Sequence, residues 1–132
     1  MGEIAGIGID IEELSRFSKY LPVDDKVPGF YRMVFSDEEI SLNRNFLPHL
    51  TFPLAFSCKE AMYKALGRSW TNSEISWKEI ELIFQDKNQP EKYSIRLTGY
   101  ALERFKALKC NKIDSSFTYN GEHVIFQIIL RS

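Results

Sequence analysis

Cysteine is scarce. Cys58 and Cys110 are the only two in 132 residues, at no metal-ligand spacing and able to form at most one bridge. Two reduced, partly buried thiols in a cytoplasmic chain are therefore expected. An excess of one charge is missing too, since 17 basic residues face 18 acidic ones. No stripe of Lys and Arg dominates any segment, which argues against general nucleic-acid binding. No apolar run approaches the roughly 20 residues of a membrane helix. The N-terminus has no basic start followed by an apolar stretch, which argues against a signal peptide. Internal repeats, low-complexity tracts and long linkers are absent. What is present is 44% hydrophobic residues, with 14% aromatic, enough to bury one core; residues 1–132 are expected to form a single domain.

The chain alternates between the two hydrophobic periods. "IAGIGIDIEE" (4–13) is β-branched and alternating, so it predicts a strand. Ile7, Ile9 and Ile11 are expected to face a core, with Gly6, Gly8, Asp10 and Glu12 on the opposite, wet side. Residues 24–34 read as a loop leading into a helical turn. Ser36 with Glu39 three residues on is a capping-box signature for a helix in 35–46. Pro48 is expected to stop that helix, and Pro53 to sit in the first turn of the next. That next helix runs to about Leu66, with Gly67 as its cap. After a polar stretch (69–76), residues 77–85 and 92–97 read as antiparallel strands. Residues 98–109 form an amphipathic helix opened by Thr98. Residues 112–130 form a hairpin with Asn120-Gly121 as its turn. Hairpin-linked strands mixed with helices predict an α+β fold with a mainly antiparallel sheet packed with helices.

Two segments concentrate polar residues. In "LAFSCKEAMYKALG" (54–67), Leu54, Cys58, Ala61, Met62 and Ala65 form an apolar stripe. Ser57, Glu60 and Lys64 share the other side, flanked by Lys59 and Tyr63. Glu60 and Lys64 alone would make an ordinary helix ion pair worth about 0.2–0.5 kcal/mol. The first strand changes that reading. Glycine inside a strand marks close approach of another backbone or a ligand. The two carboxylates that follow, Asp10 and Glu12, aim into the same space.

These residues resemble a known family. "GIGIDIEELSRF" (6–17), "FSDEE" (35–39) and "FSCKEAMYKALG" (56–67) are similar to the three ordered motifs of the 4′-phosphopantetheinyl transferases. In length the chain resembles the short holo-acyl carrier protein synthase class. Its G-I-D-I-E metal motif resembles the longer, surfactin-synthetase-activating class. The resemblance implies Mg²⁺-dependent transfer of the phosphopantetheine arm of coenzyme A to a serine of an apo acyl or peptidyl carrier protein, in fatty acid biosynthesis or a related pathway. It implies a metal set of Asp10, Glu12 and Glu60, and catalytic roles for Glu60 and Lys64. It also implies cofactor contacts from Lys59, Lys64 and the motif glycine Gly67. Glu39 belongs to the middle motif. The chain departs from the short class in two places. Leu54 and Ala55 stand where an arginine is usual, and Ser116-Phe117-Thr118-Tyr119 replaces a serine-histidine pattern.

The chemistry suits these residues. Attack of a serine hydroxyl on a pyrophosphate needs neutralised phosphate oxygens and removal of a proton. Mg²⁺ prefers carboxylates, phosphates and water, and lysines stabilise the charge that builds on the phosphoryl group. Because the longer class places its cofactor between two similar halves of one chain, a single half is expected to work as a homo-oligomer, with a trimer implied by the short class. Two other readings use the same residues: a non-catalytic coenzyme A or carrier-protein binding module, and a Mg²⁺-dependent pyrophosphate hydrolase.

Overall fold

The alternating segment forms β1 (Ile4–Glu13) in the computed structural model, which describes residues 2–18 and 27–132. A short helix, α1 (Ser15–Ser18), follows it. Of the 24–34 stretch, residues 24–26 lie outside the described part, and the expected helical turn is α2 (Gly29–Val34). The Ser36–Glu39 capping box opens α3 (Asp37–Arg44) as the motif predicts.

The long helix α4 (Pro48–Ala65) starts one turn earlier than expected. Pro48 takes the first helical position, where its missing N–H costs nothing, and Pro53 lies inside the helix. Pro53 leaves only the carbonyl of His49 without its helical partner, and His49 is exposed to water. Leu66 and Gly67 end α4 as predicted. Gly67 adopts φ +69°, its N–H reaches the Lys64 carbonyl at 3.0 Å, and the Arg68 N–H reaches Tyr63 at 2.9 Å.

The strand expected from residue 77 is delayed by a 3-10 turn at Trp77–Glu79, because Ser76 and Glu79 form a second capping box. The strands β2 (Ile80–Phe84) and β3 (Tyr93–Leu97) then pair antiparallel. Thr98 precedes α5 (Gly99–Ala107) but its side chain does not cap it; the Glu79 carboxylate accepts the Tyr100 N–H instead, at 2.9 Å. The final hairpin joins β4 (Lys112–Tyr119) to β5 (His123–Arg131). Its turn sits one residue later than read, on Gly121-Glu122. The Asn120 N–H bonds to the His123 carbonyl, and the Asn120 side chain accepts the N–H groups of Glu122 and His123.

The strand order β1-β5-β4 makes a three-stranded antiparallel sheet, with β2-β3 separate. The α+β class therefore stands as expected. α4 lies across β1 and β5 and is buried on nearly all sides.

Here the expected faces of β1 are reversed. Ile7, Ile9 and Ile11 are 55–57% exposed, whereas Gly8, Asp10 and Glu12 are buried toward α4. The reason is steric. A Cβ at Gly8 would stand 1.8 Å from the Ala61 carbonyl oxygen, and one at Gly6 1.9 Å from that of Ala65. Only the glycine face admits the helix backbone this closely. The isoleucines therefore take the other side.

Candidate active site

The glycine contact decides what meets at the seam between β1 and α4. Asp10 follows Gly8 on the same face of the strand, and α4 brings Ser57, Glu60 and Lys64 to it. The Ser57 hydroxyl donates to the Asp10 carbonyl at 3.2 Å. The Lys64 ammonium donates to the Ile9 carbonyl at 2.9 Å and approaches the Asp10 carboxylate at 3.4 Å. Arg16, from α1, donates to Glu12 at 2.9 Å. Ser57 and Arg16 were not anticipated as site residues. A small hydroxyl on a helix or an arginine after a strand carries no sequence signal that separates it from surface decoration.

Three carboxyl groups share this space. Burial pushes Glu12 up to about 8, and the neighbouring Asp10 carboxylate pushes the same way. Glu60 adds a further upward push on Glu12, and Arg16 pulls it down. Glu60 is itself raised, by burial first and then by the Asp10 charge, against the pull of Lys64 and Arg16. The Asp10 charge raises both glutamates, so the acids lie within electrostatic reach of Asp10. Three potential negative charges face two cations.

One atom is left over. The Asp10 Oδ2 is buried without a hydrogen-bond partner, and an unpaired buried carboxylate oxygen is costly. A divalent cation would supply its missing partner and relieve the crowding, so the donor set fits the hard oxygen preference of Mg²⁺. Among the described residues, no three His, Cys, Asp or Glu side chains already enclose such an ion. The three acids expected to share one ion are therefore not gathered as a single ligand set, and Mg²⁺ would take one or two of them and complete its shell with phosphate and water.

The structure corrects the place expected for Lys59. Its side chain is 0% exposed, as is that of Glu39, and the two meet at 2.7 Å. The ammonium also donates to the carbonyls of Trp77, at 3.0 Å, and of Ile80. All three of its protons are thus taken inside the protein. None is free for a cofactor phosphate. Gly67 serves as the left-handed cap beyond the end of α4, with the neighbouring Leu66 carbonyl held by Arg104 at 3.0 Å. Leu54 and Ala55, at the usual arginine position, are core residues. Tyr119 is exposed and stacks on Phe117.

The chain as a whole is similar to known proteins. The family model for the 4′-phosphopantetheinyl transferase superfamily matches residues 6–125. A holo-[acyl-carrier-protein] synthase of Alkaliphilus metalliredigens is 35% identical over 96% of this chain and 98% of its own. The chain belongs to the 4′-phosphopantetheinyl transferase superfamily. A second family member, the holo-[acyl-carrier-protein] synthase of Clostridium tetani, is 34% identical over 96% of this chain and 95% of its own. The transferase fold is shared with the Bacillus anthracis holo-(acyl-carrier-protein) synthase, solved in complex with coenzyme A (3′,5′-ADP). That structure has a TM-score of 0.73 and 26% identity, over 98% of this chain and 97% of the other.

Proposed function

We propose that this chain transfers the 4′-phosphopantetheine group of coenzyme A to a serine of an apo acyl carrier protein. The observation that carries the reading is the meeting of Asp10, Glu60 and Lys64 at the β1–α4 seam, in a chain that matches the synthases over nearly its full length.

In this reaction the serine oxygen bonds to the β-phosphorus of coenzyme A. The bond from that phosphorus to the bridging oxygen breaks, and adenosine 3′,5′-bisphosphate leaves. Asp10, whose Oδ2 lacks a partner, and one neighbour from Glu12 and Glu60 would hold Mg²⁺, which when bound neutralises diphosphate oxygens. Lys64, half exposed on the helix and anchored at the Ile9 carbonyl, offers a positive charge to the phosphoryl group as it gathers negative charge. Glu60, beside Lys64 on the same helix, is the carboxylate assigned to take the proton of the serine hydroxyl. Burial of the seam keeps these charges strong.

Self-association completes the reading, with a trimer favoured. Ile7, Ile9 and Ile11 of the edge strand, with the partly buried Ile125 and Ile129 beside them, line the outer sheet face. A second copy covering that face would stand next to the carboxylates on the other side of β1. No helix is long and apolar enough to cross a membrane among the described residues. The free, buried Cys58 and Cys110 suit the reducing cytoplasm.

Incubation with coenzyme A, Mg²⁺ and an apo carrier protein, read by intact mass, tests the proposal. The carrier is expected to gain one phosphopantetheine. Coenzyme A binding by calorimetry with no mass gain would instead leave a non-catalytic binding module.

A further inference from the structure

The Lys59–Glu39 pair ties together four parts of the chain. Lys59 comes from α4 and Glu39 from the first turn of α3. Glu39 accepts the N–H of Ser36 at 3.1 Å and that of Leu82, on β2, at 3.2 Å. Lys59 holds the carbonyls of Trp77 and Ile80, where the 3-10 turn enters β2, and its ammonium lies 5.5 Å from the centre of the Phe35 ring. Burying two charges is an expensive way to join helices, since apolar residues of similar volume often hold as well. What the charges add is direction. A leucine can slide along its neighbours; an ammonium with three assigned acceptors cannot.

Direction matters because of what lies on the strand side of α4. There the helix meets β1 through glycine and bare carbonyl groups, with Ser57 donating to the Asp10 carbonyl and the half-exposed Lys64 to that of Ile9, contacts that leave Glu60 itself unfixed. Glu60 follows Lys59 directly in the helix, and Lys64 lies one turn on. A side-chain carboxylate about 6 Å from the helix axis moves about 2 Å when the helix turns by about 20°. Misplacement by about 1 Å can cost about 100-fold in rate.

Resting on the transferase reading above, we propose that the Lys59–Glu39 pair is a positioning device. It fixes the rotation of α4 so that Glu60 and Lys64 meet Asp10, and Lys59 does not touch the coenzyme A phosphates.

The test uses the full chain, with wild type beside Lys59→Met, Glu39→Gln and the double variant. In the double variant the amide introduced at position 39 keeps its oxygen on the Leu82 N–H and turns its NH₂ to a carbonyl freed by the loss of Lys59, while the Ser36 N–H loses its acceptor. Thermal melts report folding, calorimetry with coenzyme A and Mg²⁺ reports binding, and intact mass reports turnover. The double variant is expected to melt below wild type but to stay folded at the assay temperature, and to lose kcat by about 30-fold or more. Its KM and Kd for coenzyme A should stay within about threefold of wild type. If a single variant aggregates, the double variant decides. Two results overturn the proposal in opposite ways. A Kd raised about tenfold in Lys59→Met and in the double, but not in Glu39→Gln, makes Lys59 a phosphate ligand. A folded double variant with wild-type kcat, or failure of every variant to fold, makes the pair plain scaffolding. A wild type that adds nothing to the carrier fails the transferase reading itself, and the pair's role falls with it.

Discussion

The backbone of Gly8 lies against the carbonyl oxygen of Ala61, so close that a methyl group at residue 8 would stand 1.8 Å from it. Through this contact α4 reaches the acids of β1. Gly8→Ala must push the helix off the strand, and overpacking of this kind costs about 1–3 kcal/mol. Urea unfolding is expected to show a loss at the upper end of that range, together with reduced transfer. An unchanged midpoint would mean the helix can shift freely.

Asp10→Asn and Glu60→Gln should each slow transfer by about 100-fold or more. Both remove charge from a crowded cluster, so neither should lower the melting temperature without metal. The rise in melting temperature on adding Mg²⁺ should disappear in Asp10→Asn. Lys64→Met should reduce kcat while the fold persists. Rates at the wild-type level in either acid variant would reject the metal assignment.

Acid stability should depend on Glu81. Burial alone would raise this carboxyl, but hydrogen bonds from Arg96 at 2.8 Å and Ser36 at 2.6 Å outweigh it and hold it below the usual range. With the folded value lowered, the unfolded chain binds more protons at low pH. The stabilisation is therefore full above the ordinary carboxylate pKa and is lost as pH falls through the folded value. Glu81→Gln should cost about 1–2 kcal/mol at neutral pH, after discount for the half-exposed Arg96, and much less in strong acid. Melting curves at both pH values check this; an equal loss at each contradicts it.

Ile9→Asp places a charge in the middle of the outer apolar face. Light scattering on a sizing column is expected to show the oligomer falling to monomer, with transfer reduced. A variant that keeps its oligomeric mass would locate the interface elsewhere.

Much of this architecture was legible in residue order. The period-2 run of 4–13, the Ser36–Glu39 box, the Gly67 stop and the final hairpin report local preferences that survive folding. The three motifs named the family from side-chain type and order alone. Tertiary contact decided the rest. Alternation shows that Ile7, Ile9 and Ile11 share a face, but which face is covered depends on where a helix can approach, and only glycines 6 and 8 let it in. Lys59 reads identically in sequence whether it reaches outward to a phosphate or inward to Glu39. Its acceptors come from residues 39, 77 and 80, and only the folded chain brings them to it. Sequence determined which groups were available, while packing determined which of them met, because burial and partnership belong to surfaces that distant segments form together.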